Sequence, residues 1–310
     1  MSASVVHTTG LTKRYGERVV VDHLDLDVPA GVVAGVVGPN GAGKTTTMRM
    51  LLGLARVSSG EGTVLGRPIS RPASYLSRVG ALIESPAFYP ALSGRRNLAV
   101  HAAIGGIDPR RIPMVLERVG LADRADDAYR AYSLGMKQRL GIAAALVGDP
   151  ALLVLDEPTN GLDPAGIRSM RDLVRGLADD GPTVLLSSHL LVEVQQVCDW
   201  LVVIDHGRQS YQGPVDGILA GAVTELAIAG ENTSDIGIIR DVVDRLGYDV
   251  QAHSTGAGDL RVVVPSDADP TRVGAGINRA VAGAGITLAR IDVHRPTLEE
   301  RYLTLTKKSA

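Results

Sequence analysis

The stretch GPNGAGKTT, residues 38–46, decides the fold of this chain. It fits the pattern G-x-x-x-x-G-K-[ST] and follows GVVAGVV (31–37), a continuously small and apolar run that is typical of a buried strand. Glycines in such a loop let the backbone curl so that successive N–H groups face a phosphate, and the N-terminus of the helix that follows adds partial positive charge. The stretch therefore predicts a phosphate-binding loop between a strand and a helix of an α/β fold.

Two side chains of this loop carry the predicted chemistry. Lys44 is placed for the β- and γ-phosphates of a nucleotide, and the Thr45 hydroxyl is placed for Mg²⁺. The alternative is a glycine-rich turn without a chemical role, which the spacing and the strand–helix context both disfavour. The other nucleotide-binding positions predicted in the loop are Gly38, Pro39, Asn40, Gly41, Ala42, Gly43 and Thr46.

A second apolar run, LLVLDEP (152–158), ends in two carboxylates. Ligands of open α/β sheets bind at the carboxyl ends of the strands, which is where Asp156 and Glu157 lie. Asp156 is predicted to hold Mg²⁺, directly or through water, and Glu157 is predicted to act as the general base on the attacking water. The alternative is an acidic strand-to-loop junction without a catalytic role, and the phosphate-binding loop disfavours it.

Further strands and helices alternate along the first two-thirds of the chain. A helix is predicted after its N-cap Asp163, with Pro164 at the first helical position, and helical patterns fill residues 93–147. This alternation predicts a parallel sheet. The other runs that predict strands are HLDLDV (23–28), which alternates polar and apolar residues, and ALLVL (151–155), TVLLSS (183–188) and WLVVID (200–205), which are largely apolar.

The pattern changes around residues 213–222, so that a first domain of residues 1–220 and a small second α+β domain of residues 221–310 are predicted. Thr297 and Glu300 have capping-box spacing in the second domain. No metal-ligand or catalytic spacing occurs in it, and both a structural appendage and a regulatory module fit its sequence. Its predicted elements are a strand (223–229), a helix (about 235–246), a strand (260–264), a helix (about 271–282), a strand (286–293) and a helix (297–306).

Composition and charge limit the function. A net charge of −2 produces no positive electrostatic field that would attract a polyanion, so nucleic acid is not a predicted partner. Cys198 is the only cysteine among 310 residues, which excludes an internal disulfide and favours a reducing cytoplasm. The opening MSASVVHTTG has neither the basic nor the long apolar region of a signal peptide, and no apolar run approaches the ~20 residues of a membrane helix. We therefore expect a cytoplasmic protein that does not cross a membrane by itself.

A second candidate anion site lies at YSLGMKQRL (132–140), where Ser133 can cap a basic helix. The order GPNGAGKTT, SLGMKQR, LLVLDEP, NGLD, SSH resembles the ATP-binding cassette (ABC) ATPases over about residues 4–220. The resemblance implies a P-loop NTPase fold with a RecA-like parallel-sheet core, an N-terminal antiparallel β subdomain and a helical subdomain at about residues 85–147. It also implies that two cassettes pair head to tail, each signature helix facing the γ-phosphate on its partner's P-loop.

The segment 132–140, which corresponds to the family's signature motif and is called the signature segment below, has positions that match the family and positions that depart from it. Ser133 and the Gly135 backbone match the family's phosphate-contacting positions. A serine-capped helix taken alone is more often structural, and the motifs around it favour the binding role. The segment departs from L-S-G-G-Q, the commonest form of the motif, at Tyr132, Leu134 and Met136. These departures resemble the bacitracin and lantibiotic self-protection branch.

Three further positions take roles from the resemblance. His189 in SSHLL matches the switch histidine, which contacts the γ-phosphate and the positioned water. Asp163 in NGLDP matches the D-loop aspartate, which crosses the dimer interface, and this role is compatible with its role as a helix cap. Tyr15 in LTKRYGER fits the aromatic residue that stacks on adenine, the alternative being a surface tyrosine.

Glu84 in ALIESPAFYP stands where the family usually has a glutamine that senses Mg²⁺ and the membrane partner. A carboxylate is a stronger ligand for a hard cation than an amide, so Glu84 is a predicted metal ligand. The same charge is also able to repel the γ-phosphate before Mg²⁺ arrives. The bacitracin-type branch often shows E-x-P at this place, which favours a subfamily trait over a loss of function.

The resemblance implies the ATPase subunit of a bacterial ABC exporter, which hydrolyses ATP to ADP and phosphate with Mg²⁺. Its implied partners are a second copy of itself and a separately encoded membrane permease, contacted through the helical segment 85–130 on the cytoplasmic face of the membrane. The implied cargo is a peptide antibiotic or a lipid-like drug, which would give antibiotic resistance. The alternatives are a non-transport ABC ATPase acting on DNA or ribosomes, a regulatory ABC ATPase, and a soluble P-loop kinase or GTPase. A single cassette without long coiled coils, and the lack of an N-K-x-D signature, disfavour them.

Overall fold

The computed structural model describes residues 4–84, 87–179, 181–219, 223–251, 259–265, 267–295 and 297–307. The chain divides into two compact units, Met1–Gly217 with Tyr302–Ala310, and Ile218–Arg301. The domain boundary predicted at residue 220 falls on residues 220–222, which lie outside the described residues.

Strands and helices alternate through most of the described chain. The strands are β1 (Ser4–Tyr15), β2 (Arg18–Leu24), β3 (Asp27–Pro29), β4 (Val33–Val37), β5 (Ser59–Val64), β6 (Arg67–Pro68), β7 (Val79–Leu82), β8 (Leu152–Leu155), β9 (Thr183–Ser188), β10 (Trp200–Asp205), β11 (Arg208–Pro214), β12 (Glu225–Gly230), β13 (Val250–Gln251), β14 (Leu260–Val263) and β15 (Leu288–His294). The helices are α1 (Lys44–Leu51), α2 (Gly94–Gly105), α3 (Ile112–Arg118), α4 (Leu134–Leu146), α5 (Pro164–Asp179), α6 (Leu191–Val197), α7 (Val215–Leu219), α8 (Ile236–Arg245), α9 (Pro270–Gly283) and α10 (Leu298–Lys307).

The centre of the first unit is a six-stranded sheet in the order β11-β10-β4-β9-β8-β7. All neighbouring pairs are parallel except β10 and β11, which confirms the predicted parallel sheet. Helix α6 packs directly on β4, and glycine at position 35 allows this close approach. A Cβ atom there would lie 2.7 Å from Val194 and 2.8 Å from the Cys198 sulfur. Cys198 is buried there, and burial raises the pKa of its thiol.

The N-terminal part forms an antiparallel sheet in the order β2-β1-β5-β6, with β3 also paired to β1. The stretch HLDLDV alternates between exposed and buried residues as predicted, but the prediction of one continuous strand is wrong. The strand is interrupted between Leu24 and Asp27, where the Thr8 hydroxyl takes the place of a main-chain partner for two backbone groups. This hydroxyl donates to the Leu24 carbonyl at 3.0 Å and accepts from the Leu26 N–H at 2.9 Å.

The helical patterns predicted over residues 93–147 correspond to α2, α3 and α4. Helix α2 ends at Gly105 because Gly106 has the left-handed conformation, with φ of 64°, that a glycine adopts without strain. The helix predicted after Asp163 is α5, and its predicted cap is present. The Asp163 carboxylate accepts a hydrogen bond from the Gly166 N–H at 2.7 Å.

The second unit is built on an antiparallel sheet in the order β13-β14-β12-β15. Its elements follow the sequence βαββαβ, and the apolar faces of α8 and α9 share one core with the sheet. The predicted α+β pattern is confirmed, although the short strand β13 has no counterpart in the prediction. The predicted capping box is also present. The Thr297 N–H donates to Glu300 at 2.8 Å and lowers the pKa of that carboxyl.

Candidate nucleotide site

A cleft of about 540 Å³ lies over the phosphate-binding loop, at the carboxyl ends of the parallel strands. Six positions in the loop and the first turn of α1 line it, and so do Arg49 further along α1 and side chains from three distant parts of the chain. The cleft is therefore the place where most of the predicted nucleotide, metal and catalytic residues meet. Its lining residues are Tyr15, Arg18, Val20, Asn40, Gly41, Gly43, Lys44, Thr45, Thr46, Arg49, Glu157, Asn160 and His189.

The loop backbone requires glycine at two of the predicted positions. Gly43 has φ of 107°, and a Cβ atom there would lie 2.9 Å from the Val20 carbonyl oxygen. A Cβ atom at Gly38 would lie 2.1 Å from the Ile204 carbonyl oxygen, which no real side chain tolerates. Glycine at these two positions lets the loop backbone lie this close to the Val20 and Ile204 carbonyl groups, which suits the tight curl of a phosphate-binding loop.

Lys44 begins α1 and is buried at the base of the loop. Its ammonium group donates to the carbonyl oxygens of Gly38 at 2.7 Å and Pro39 at 3.3 Å. It also lies 3.3 Å from the Glu157 carboxylate. The positive charge is thus fixed at one point of the cleft, beside the carboxylate predicted to be the base.

Asp156 joins the phosphate-binding loop to the central sheet. Its carboxylate is buried and accepts hydrogen bonds from the Thr45 hydroxyl at 2.8 Å and from the Ser187 hydroxyl at 2.6 Å. A carboxylate beside a hydroxyl is an all-oxygen donor set, which is what a hard cation such as Mg²⁺ requires. The residues present therefore fit the predicted metal.

Glu157 and His189, the two predicted catalytic residues, are in direct contact. The Nδ1 atom of His189 lies 2.7 Å from one carboxylate oxygen of Glu157, while Lys44 approaches the other. The backbone of Glu157 has φ of 48°, a left-handed conformation that is costly for a residue with a Cβ atom. The Glu157 N–H donates to the Ser187 hydroxyl at 2.9 Å, which stabilises this conformation.

Tyr15 lies at the end of β1, half exposed, and lines the same cleft as Lys44. The ammonium group of Lys13 lies 4.6 Å from the centre of its ring. An exposed aromatic face at the edge of a nucleotide cleft fits the predicted stacking on a purine base.

The signature residues are not part of the cleft. Ser133 caps α4, its hydroxyl accepting from the Met136 N–H at 3.3 Å. Neither Ser133, Gly135 nor Asp163 is among the described residues that line the cleft. The start of α4 packs instead near the loop before α5. The closeness is seen at Gly161, where a Cβ atom would lie 3.1 Å from Leu134.

Glu84 follows β7 and has φ of 62°, again left-handed. Its carboxylate is paired with the guanidinium of Arg49, and Arg49 lines the cleft. Glu84 is thus connected to the nucleotide cleft through the guanidinium group of Arg49. Its predicted role as a metal ligand stays a prediction.

Comparisons with known proteins agree with this geometry. The family model described as "ABC transporter" matches residues 21–160. The uncharacterized ABC transporter ATP-binding protein YdbJ of Bacillus subtilis (strain 168) is 36% identical over 309 residues, which cover 99% of this chain and 96% of YdbJ. This chain belongs to the ABC transporter ATP-binding proteins.

Two further similarities concern the cassette of this ABC ATP-binding protein. The bacitracin transport ATP-binding protein BcrA of Bacillus licheniformis is 46% identical over 217 residues, or 69% of this chain and 71% of BcrA. The solved structure of an ATP-binding subunit of an ABC transporter superposes with a TM-score of 0.62 at 28% identity, covering 70% of this chain and 93% of that subunit. The suspected family and branch are confirmed.

The family to which this ABC ATP-binding protein belongs indicates its activity. It binds ATP and hydrolyses it as the ATPase subunit of a transporter, and such subunits act together with membrane permeases. The alternatives of a non-transport ABC protein and of a soluble kinase or GTPase are thereby disfavoured.

Sequence reasoning missed some of the residues around the site of this ABC ATP-binding protein. Ser187 bonds both Asp156 and the Glu157 backbone, yet neither the strand TVLLSS nor the motif SSH predicts a role for its hydroxyl. Two small polar residues at the end of an apolar strand, directly before His189, were the available signal. Arg49 lay in the predicted helix after the loop, and nothing local linked it to Glu84.

Proposed function

We propose that this ABC ATP-binding protein hydrolyses Mg²⁺-bound ATP with Glu157 as the general base. The observation that carries the proposal is the contact of one carboxylate with both Lys44 and His189 at the floor of the cleft. A base must lie within hydrogen-bond reach of the reacting water, and a cation beside it must be able to bind phosphate. Glu157 supplies the carboxylate for the first role, and Lys44 supplies the cation for the second.

In the proposed reaction a water oxygen attacks the γ-phosphorus of ATP and the bond to the β-phosphate oxygen breaks, giving ADP and phosphate. Glu157 accepts the proton of the attacking water, and His189 orients the carboxylate through its Nδ1 contact. Lys44 and the loop N–H groups bind the β- and γ-phosphates. Thr45 and Asp156 would hold Mg²⁺, and the bound ion would neutralise charge on the phosphate oxygens.

The metal role of Thr45 has a matched control in the same helix. We expect Thr45→Val to raise the Mg²⁺ concentration needed for half-maximal nucleotide binding by about tenfold or more, because a direct oxygen ligand is lost. Thr47→Val should leave it unchanged, because the buried Thr47 hydroxyl has no hydrogen-bond partner in the described part of the chain. Titrating fluorescent ATP binding with Mg²⁺ measures both. Equal Mg²⁺ dependence of the two variants would contradict the assignment.

We propose that the active form is a head-to-tail dimer. Ser133, Gly135 and Asp163 lie outside the cleft of their own chain, and Ser133 presents an exposed hydroxyl at a helix N-terminus. A helix N-terminus favours negative charge, so it suits a phosphate supplied by another chain. Two copies would then form two composite sites.

We also propose that the protein lies on the cytoplasmic face of the membrane and drives an exporter permease. In the described part of the chain, no helix combines the length and the apolar character needed to span a bilayer. The similarity to a bacitracin transport protein supports a peptide antibiotic or a lipid-like drug as the cargo. The helical segment 85–130 is the proposed permease contact.

Tyr89 tests the permease contact. Its side chain is 60% exposed, while its backbone is held by Asn97 through bonds of 2.8 and 3.1 Å. We expect Tyr89→Asp to reduce recovery of a co-expressed permease by about tenfold, because a charge replaces an aromatic contact. Ile238→Asp in the second unit, where Ile238 is 46% exposed, serves as the control.

Affinity purification followed by quantitative immunoblotting of the permease measures both variants. Recovery lost with Tyr89→Asp and kept with Ile238→Asp supports the proposal. Recovery lost only with Ile238→Asp would move the contact to the second unit. Recovery of nucleic acid or ribosomes in place of a permease would favour a non-transport protein.

A further inference from the structure

Glu193 is a buried carboxylate behind the candidate catalytic residues. It is 9% exposed and accepts a hydrogen bond of 2.6 Å from the hydroxyl of Thr159, which is 8% exposed. Glu193 lies on α6, the helix that follows His189, whereas Thr159 lies two residues after Glu157. The bond therefore joins the two segments that carry the proposed catalytic pair.

A carboxylate at this position does not serve core packing. The neighbouring residues Val194 and Val197 bury apolar side chains, and an apolar residue at position 193 would avoid the desolvation of a charge. A cavity of about 20 Å³ borders both Thr159 and Glu193, so close packing does not fix their side chains on that side. The hydrogen bond fixes them instead.

Thr159 and Glu193 are each tied to one catalytic residue. The Asn160 N–H donates to the Glu157 carbonyl at 3.0 Å, so that residues 157–160 form a turn around Thr159. The Glu193 N–H donates to the Leu190 carbonyl at 3.1 Å, next to His189. A shift of Thr159 relative to Glu193 would change the distance between the Glu157 carboxylate and the His189 ring.

We propose that Glu193 is a positioning residue for ATP hydrolysis. Its hydrogen bond to Thr159 fixes the Glu157 segment against the His189 segment and supports the left-handed backbone of Glu157. Glu193 touches neither nucleotide nor water and acts through Thr159. This inference rests on the proposed roles of Glu157 and His189.

Two substitutions of Thr159 separate the hydrogen bond from the shape of the side chain. Thr159→Val keeps the shape and removes the O–H donor, whereas Thr159→Ser keeps the donor. We expect Thr159→Val to lower kcat about tenfold to a hundredfold, because small misplacements of catalytic groups have effects of this size. Its KM and its ATP affinity should change less than about twofold, because the phosphate-binding loop is untouched. Thr159→Ser should keep most of the activity.

Substitutions of Glu193 test the other end of the bond. Glu193→Gln keeps an oxygen acceptor and should retain most of kcat, whereas Glu193→Ala should lose as much as Thr159→Val. The double variant Glu193→Ala/Thr159→Val should lose no more than either single variant, because all three lack the same bond. Thr8→Val is the control, since it removes a buried hydroxyl from the N-terminal sheet. It should lower Tm and leave kcat unchanged.

Steady-state ATPase assays, fluorescent ATP titrations and thermal melting measure all of these variants. Wild-type kcat in Thr159→Val would overturn the inference, and so would additive losses in the double variant. Thr159→Val would show a merely structural role if it lost kcat and ATP affinity equally and lowered Tm as much as Thr8→Val does. That result would also overturn the inference. If Glu157→Gln keeps its turnover, the proposed function fails first. If that variant is inactive while Thr159→Val is not, only the role of Glu193 fails.

Discussion

Replacing Glu157 with Gln should stop turnover while leaving ATP binding intact. Gln keeps the size of the side chain and an oxygen that can still accept from Lys44, but it cannot accept a proton from water. The loss in kcat should be about 10²-fold or more, the usual contribution of a general base. Phosphate release measures turnover, and fluorescent ATP measures binding.

The matched control is Glu231→Gln, which makes the same chemical change at an exposed position of the second unit. It should behave like the wild type in both measurements. Wild-type turnover in Glu157→Gln would exclude this residue as the base. A loss of ATP binding in that variant would show that the carboxylate contributes to binding the nucleotide through Lys44.

Mixing two inactive variants should restore hydrolysis if the sites are composite. Ser133→Arg has an intact phosphate-binding loop and a spoiled signature segment, and Lys44→Ala has the reverse. In a mixed dimer both lesions fall on one composite site and the other site is intact. We expect up to about a quarter of the wild-type activity, because about half of randomly formed two-fold dimers are mixed and each has one intact site.

The control mixture is Lys44→Ala with Glu157→Gln. Both residues lie in the same cleft of one chain, so every composite site of that mixture carries a lesion. This mixture should stay inactive. If the mixture with Ser133→Arg also stays inactive, one intact site is not sufficient or Ser133 does not act across a dimer. Dimerisation of Glu157→Gln on ATP, measured by size-exclusion chromatography, distinguishes these two outcomes.

The elements whose evidence is local could be predicted from the sequence. The phosphate-binding loop depends on glycines at fixed spacing, and the cap at Asp163 depends on residues three apart. The strands β8, β9 and β10 coincide with largely apolar runs, so their existence follows from the local sequence. In the second unit, the alternation of strands and helices was enough to predict the α+β pattern.

The break between β2 and β3 was not predictable in this way. Its alternation of exposed and buried residues continues through the break, because the same face of the chain stays on the core. At the break the hydroxyl of Thr8, which is distant in sequence, bonds the Leu24 carbonyl and the Leu26 N–H in place of a main-chain partner. A periodic pattern reports burial and does not report which group satisfies a backbone hydrogen bond.

The sequence by itself determined the phosphate-binding loop, the carboxylates Asp156 and Glu157, and the family. Only the tertiary structure decided which side chains meet around them: His189 on Glu157, Arg49 on Glu84, and Glu193 on Thr159. The physical reason is the parallel sheet. It sets β9 between β4 and β8, so the carboxyl ends of strands that are far apart in sequence become neighbours at one edge. Local spacing contains no information about that order, and the hydrogen bonds that hold the proposed catalytic pair exist only once the order is established.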